Sequence, residues 1–335
     1  MQTFQYTRPT NVDQAVQAAA RSKTAQQHAD IRFVAGGTTL VDLMKLDVER
    51  PNQLVDINAL PLSGIGPAPG GGLILGALAR NSAVAQHPVV QRDYPVLSEA
   101  LLSGASPQLR NMATTAGNLL QRTRCVYFRD TVHACNKREP GTGCSAIDGF
   151  NRNLAILGTS EECIATNPSD QNVALTALEA TIQVQGPKGK RNIPIQEFYL
   201  KPGSTPNREN VLEPGDLIVS VTLPAPLPGA RSHYLKLRDR AAYEFALASA
   251  AIVIKVSGSR IEHARVALGG VGTVPWRSRE AEQELLGHPA NASTFRRAAE
   301  AALKGAQPAS GNGFKVELAK RCIVRALTVS TQSAS

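Results

Sequence analysis

Ile31-Arg32-Phe33-Val34-Ala35-Gly36-Gly37-Thr38-Thr39-Leu40 is the stretch that decides how this chain folds. Four residues of strand character run into two adjacent glycines, and a helical pattern over 40–46 starts directly behind them. A strand that ends in glycines ahead of a helix N-terminus makes an anion cradle, because bare backbone N–H groups approach phosphate oxygens closely. Strand–turn–helix units that hold no ligand look the same in sequence, so the bend needs a second feature to give it meaning. It is not a Walker A loop, since no Gly-Lys-Ser/Thr follows at the right distance, and it is not G-x-G-x-x-G.

Thr114-Thr115-Ala116-Gly117-Asn118 supplies that second feature, a small-residue turn rich in hydroxyls and backbone donors. Two such turns suit the pyrophosphate of a dinucleotide better than a single phosphate. Asp170 opens a helical pattern over 170–180, where its carboxylate could accept from a ribose hydroxyl. As a helix N-cap it needs no ligand, and the cap is the simpler reading.

Between the second turn and Asp170 lie four of the five cysteines, Cys125, Cys135, Cys144 and Cys163, spaced C-x9-C-x8-C-x18-C. The segment 121–170 has little that forms a long helix or strand and no obvious core of its own, so something other than apolar packing should order it. Disulfides fit a small secreted domain rather than a chain of 335 residues with ample core. Structural zinc sites use short C-x2-4-C knuckles, which are absent. An iron–sulfur cluster also takes four thiolates. Spacing alone does not choose among metals. Cys322 sits in a helical pattern and is read as a buried core thiol.

The length suggests two or three domains, and 42% hydrophobic with 19% charged residues is an ordinary soluble composition. The net charge of +9 is not gathered into basic runs and aromatics are 4%, which argues against a nucleic-acid groove with stacking platforms. No apolar run approaches the ~18 residues of a membrane span, and Met1 to Pro9 lacks the apolar core of a secretory signal. Strand patterns fall over 4–7, 54–57, 73–77, 180–184, 191–195 and 217–223, with a helix over 12–20 capped by Asn11. Pro224-Ala225-Pro226-Leu227-Pro228-Gly229 marks a boundary. Beyond it, strands over 233–236, 248–256 and 260–268 precede helices over 278–286, 292–304 and 315–330, an α+β arrangement with a terminal helical layer.

Phe33 to Leu40, Gln108-Leu109-Arg110-Asn111-Met112-Ala113-Thr114-Thr115-Ala116-Gly117-Asn118 and Pro214-Gly215-Asp216-Leu217-Ile218 resemble the motifs of FAD-binding subunits of molybdenum hydroxylases, the xanthine dehydrogenase family. The resemblance spans essentially the whole chain. Arg122-Thr123-Arg124-Cys125, Cys135-Asn136-Lys137-Arg138 and Glu162-Cys163-Ile164-Ala165-Thr166 further resemble the FAD subunits of bacterial periplasmic aldehyde oxidoreductases, which carry an extra [4Fe-4S] cluster.

The resemblance implies an α+β chain with a two-lobed vanillyl-alcohol-oxidase-like (PCMH-type) FAD-binding fold and a C-terminal α+β domain. The lobes would span 1–58 and 59–224, with the iron–sulfur loop at 121–170, and the C-terminal domain 225–335. It implies that Ala35, Gly36, Gly37, Thr38, Thr39 and Leu40, with Thr114, Thr115, Ala116, Gly117 and Asn118, take the pyrophosphate, and that Phe33, Val34 and Arg110 also bind the cofactor. Asp170 would meet the ribose side, Ile218 the adenine or flavin pocket, and Lys236 and Tyr243 the ring. Cys125, Cys135, Cys144 and Cys163 would hold the cluster. Electrons would come from a large molybdenum-cofactor subunit through a small subunit with two [2Fe-2S] clusters and leave to an external acceptor. No catalytic residue is expected here, since the six histidines are scattered and no base–nucleophile pair stands out. The expected compartment is the periplasm, by co-export on a partner's signal, or the cytoplasm. A stand-alone FAD oxidase and a non-enzymatic metal-binding scaffold are the rival classes; the first would oxidise aldehydes alone, and the second would be colourless.

Overall fold

The computed structural model describes residues 1–332 and divides its strands among three sheets. The first holds β1 (Gln5–Thr7), β2 (Ile31–Val34) and β3 (Gln53–Asp56) in the order β1-β3-β2, all parallel. Asn11 caps the crossover helix Val12–Ala19 by accepting from the Gln14 amide, and Ala15 and Val16 pack its inner face onto the sheet, with Ala19 also buried.

The second sheet joins β4 (Ile65–Pro67), β5 (Leu73–Gly76), β6 (Thr181–Gly186), β7 (Gly189–Pro194) and β8 (Leu217–Leu223) in the order β4-β5-β8-β6-β7, antiparallel throughout. Between β5 and β6 the chain makes short helices. Pro88, Pro95 and Pro107 each sit at the first turn of one of them, where a missing N–H costs nothing. The polar sequence around Arg110 forms the helix Pro107–Met112, capped by Ser106.

The third sheet, β9 (Arg231–Leu237), β10 (Ala248–Ser257), β11 (Arg260–Gly269) and β12 (Trp276–Arg277), is antiparallel in the order β12-β11-β10-β9. The almost unbroken apolar run of β10 has a direct explanation. Ala251 and Val253 pack into the core of the second sheet, whereas Ala250, Ile252 and Ile254 pack under helices Arg279–Leu285, Ala292–Leu303 and Phe314–Thr331. A strand covered on both faces has no reason to alternate. Helix Asp170–Ala177 is buried at all eight positions. A Cβ on Gly269 of β11 would come within 2.5 Å of Val173 Cγ2, so a glycine is needed for that close approach.

Candidate functional site

β2 delivers residues 35–39 to the mouth of a cleft of ≈ 1150 Å³, open solvent included, which is also lined by Phe33, Leu40, Thr114, Ala116, Gly117 and Ile218. A Cβ on Gly36 would lie 1.9 Å from the Met112 carbonyl oxygen, so only glycine lets the first bend rest against the segment leading into the second. Gly37 has φ +72°, the left-handed region glycine tolerates. Among the described residues the backbone N–H groups of Gly36, Gly37, Thr38 and Thr39 donate to no backbone carbonyl. Thr39 stands at the N-cap of helix Leu40–Lys45 without a side-chain capping bond. Open amides beside free hydroxyls fit an anionic ligand.

The second bend is different. Thr115 N–H donates to Ala79 O at 2.9 Å, Ala116 N–H to Ala77 O at 3.0 Å and Asn118 N–H to Thr114 O at 2.8 Å. Gly117 N–H donates to Thr114 Oγ1 at 3.1 Å, and the Thr115 hydroxyl donates to Ala79 O. Both turns are expected from the sequence to offer donors to phosphate oxygens; in the second, the Ala77 and Ala79 carbonyls just beyond β5 and the Thr114 carbonyl take three of these amides and Thr114 Oγ1 takes the fourth. Asn118 Oδ1 accepts from Ser169 Oγ at 2.7 Å, and Ser169 lines a second cleft.

Several predicted residues lie away from the first cleft. Val34 is committed to the β2–β3 ladder opposite Asp56. Arg110 donates to Gly104 O at 2.7 Å and braces the turn after helix Pro95–Ser103. Asp170 borders the second cleft, together with Arg124, Ser169 and Phe245. It is not the N-cap; Ser169 is, accepting from Asn172 N–H, and Asp170 is the first helical residue. Its carboxylate accepts from Tyr234 Oη at 2.5 Å and from Lys236 Nζ at 2.8 Å, and Lys236 also donates to Ser103 O. The Lys236 side chain is 3% exposed, so the expected ring contact is instead a buried ion pair joining β9 to the helix. Burial beside the Asp170 carboxylate pushes the Tyr234 phenol well above its ordinary range. Tyr243 sits at φ +56° on an exposed turn, under the Arg240 guanidinium.

Sequence reasoning did not select the charged wall of the first cleft. Arg32, Glu49 and Arg122 line it. Arg32 pairs with Glu49 at 2.9 Å, Arg122 with Glu49 at 2.5 Å and with Glu209, and Lys137 with Glu209 at 3.0 Å. Nothing in a single sequence distinguishes these buried charges from solvated ones; their partners lie up to 87 positions away.

All four thiols of the 121–170 segment border one small cavity, with Cys125, Cys135 and Cys163 buried and Cys144 partly exposed. Cys135 and Cys144 face each other across an isolated antiparallel bridge, and none of the five cysteines is in a disulfide. No group of three or more His, Cys, Asp or Glu placed to hold a single metal ion occurs among the described residues. The segment does have a core, contrary to expectation: Phe128, Ala146, Leu154, Ile164 and Ala165 cluster with Leu43 and Val48. Side chains replace the missing ladder, Arg138 donating to Tyr127 O and Phe128 O, and Asn136 Oδ1 accepting from Gly141 and Gly143 N–H. Burial pushes the Cys125 thiol up to about 12, and raises Cys163 against the pull of Lys137, so a metal would have to displace protons here. Cys322 is buried under β9, as its helical setting suggested.

Residues 2–226 match the model of the FAD binding domain in molybdopterin dehydrogenase, and residues 233–329 that of the CO dehydrogenase flavoprotein C-terminal domain. The chain is 50% identical over 329 residues, 98% of each chain, to the aldehyde oxidoreductase FAD-binding subunit PaoB of Escherichia coli (strain K12). It is 28% identical to the carbon monoxide dehydrogenase medium chain of Hydrogenophaga pseudoflava, over 98% of this chain and 96% of the relative. The solved carbon monoxide dehydrogenase from Hydrogenophaga pseudoflava superposes with a TM-score of 0.76 at 27% identity, covering 98% of this chain and 97% of that one. The expected PCMH-type fold with a C-terminal domain is thus met.

Proposed function

This chain belongs to the FAD-binding subunits of the molybdenum hydroxylases, and from that membership we propose that it is the electron-transfer flavoprotein subunit of a molybdenum-dependent aldehyde oxidoreductase. The chemistry FAD supplies when bound is that of a junction between one-electron and two-electron carriers. The residues of this chain hold and orient it. The open amides of Gly36 to Thr39 would take the pyrophosphate, with the second bend as the support behind them. The apolar wall containing Phe33 and Ile218 would take the adenosine, and the cleft beyond Asn118 and Ser169 the ring. The observation that carries this reading is the cleft whose glycine bend keeps four unspent backbone donors.

The aldehyde specificity rests on the 50% identity to an aldehyde oxidoreductase subunit. The C–H bond would be broken on a large molybdenum-cofactor subunit, with a small subunit carrying two [2Fe-2S] clusters between the two and an external acceptor beyond. In this reading Cys125, Cys135, Cys144 and Cys163 hold a [4Fe-4S] cluster, supported by their convergence on one cavity. We take the boundaries to fall at 58/59 and 224/225, in keeping with sheets that span 5–56, 65–223 and 231–277. No helix among the described residues is long and apolar enough to cross a membrane. The subunit would go with its partners, to the periplasm where one of them carries the signal and otherwise staying in the cytoplasm.

The test is an absorption spectrum of the purified chain with flavin, iron and sulfide analysis. The expected result is FAD in stoichiometric amount, with iron and sulfide in equal amounts. Flavin without iron would remove the cluster alone, whereas a colourless protein that does not take up added FAD would overturn the reading.

A further inference from the structure

Lys315 is the second residue of helix Phe314–Thr331 and is wholly buried, at 0% exposure. Lys137 and Lys236, also withdrawn from water, each hold a carboxylate, Glu209 at 3.0 Å and Asp170 at 2.8 Å. Lys315 holds none among the described residues; its Nζ donates to the carbonyl oxygens of Leu154, at 2.9 Å, and of Gly270. The positive end of an 18-residue helix beside it opposes a cation further. Burial, joined by repulsion from Arg152, pushes the ammonium down to about 7. Leu154 and Gly270 are both wall residues of the second cleft, so the ammonium stands directly behind that wall. The charged groups on the wall itself are already engaged: Asp170 with Lys236, Arg124 with Asp42, and Glu244 with the Arg240 amide. A buried cation given only carbonyls, next to a ligand cleft, is a charge whose partner arrives with the ligand.

We propose that Lys315 sets the electrostatic potential of the ring cleft, favouring the electron-rich reduced flavin over the oxidised one from behind the Leu154 and Gly270 wall. The proposal rests on the FAD reading of the two clefts and adds to it a charge that tunes the cofactor. Lys315 touches no ligand; it acts through space. The oxidised ring is neutral and gains little from the ammonium. A ring that has taken two electrons and one proton is negative, and a desolvated cation near it lowers its free energy far more than a cation in water does. The first cleft has no such charge to spare, since Arg32 and Arg122 share Glu49, and Arg122 and Lys137 share Glu209.

The experiment uses the full chain loaded with FAD, its flavin potential measured by equilibration with a reference dye at about pH 6, where the Lys315 amine is protonated. Lys315→Met and Lys315→Gln both remove the charge, and Gln keeps a donor for the carbonyls. Asn312 Nδ2, which donates to Leu154 O and Ala155 O, anchors that wall in either variant. Each variant should bind reduced FAD at least tenfold more weakly relative to oxidised FAD than the parent does, a two-electron potential lowered by about 30 mV. Affinity for oxidised FAD, read by calorimetry, should stay within about twofold of the parent's, because the neutral ring hardly feels the charge. A parental potential in both variants overturns the proposal. So does a potential lowered in Met and restored in Gln, since Lys315 is then a donor that seats the wall and its charge is idle. Should Lys315→Met fail to fold, Lys315→Gln decides alone by the same potential. A parent chain that binds no FAD overturns the FAD reading itself, which is a distinct outcome.

Discussion

The bends at 35–39 and 114–118 are alike in composition and opposite in use. Both are short runs of small residues at a helix start: 35–39 lead into helix Leu40–Lys45, whereas 114–118 form the N-cap and first turn of helix Thr115–Leu119. In the first, four amides point at no protein acceptor; in the second, four amides are consumed by Ala77, Ala79 and Thr114. A small-residue turn is a donor cradle only where no carbonyl of its own fold lies within reach. The second bend, having spent its amides, becomes the rigid surface against which the first is set, and Gly36 is the point of contact.

The largest effect should come from closing that contact. Gly36→Ala places a methyl where the Met112 carbonyl already is, and overpacking against backbone should cost about 3 kcal/mol together with the bound flavin. Denaturant unfolding and flavin content measure both, and a variant that keeps parental stability and its flavin would break the contrast between the bends.

A pH series separates the charged surroundings of the first bend from the neutral ones of the second. Burial pushes the Glu209 carboxyl up, but Arg122 and Lys137 outweigh it and hold the group down to about 2. Its contribution to stability is therefore complete above the ordinary carboxylate value near 4.5 and is lost as pH falls towards about 2. The stability gap between the parent and Glu209→Gln should shrink over that window. A gap that stays constant would mean that Glu209 is not held by its two cations.

The smallest effect is expected at Thr114→Val, which removes the oxygen that caps Gly117 N–H. Loss of such a cap costs about 1 kcal/mol, and flavin should be retained. A complete loss of flavin from this substitution would make the second bend a ligand site rather than a support.

What was legible in the sequence follows the range of the interactions involved. The first bend, Ile218 in β8, the Asn11 cap and the convergence of four thiols depend on local pattern, and the chain displays them. The roles of Asp170 and Lys236 depend on each other across 66 positions, and Arg110 is decided by the turn it braces. No single-sequence pattern shows that a carboxylate expected at a ribose already has a tyrosine and a lysine. The core of the thiol segment was hidden for the same reason, since Leu43 and Val48 come from a helix and turn far upstream.

The two-faced burial of β10 has a consequence for how the molecule opens. Alternate residues of that strand, Ala251 and Val253 against Ala250, Ile252 and Ile254, belong to different cores. Swinging the C-terminal unit outward as a hinged cover would strip Ala251 and Val253 from the core of the second sheet and expose apolar surface on each side, while the core under its own helices would travel with it. Residues 239–243 between β9 and β10 are exposed throughout, and Glu244 to Leu247 just behind them edge the second cleft. Passage into that cleft therefore falls to this short turn, a door far lighter than the wall it is set in.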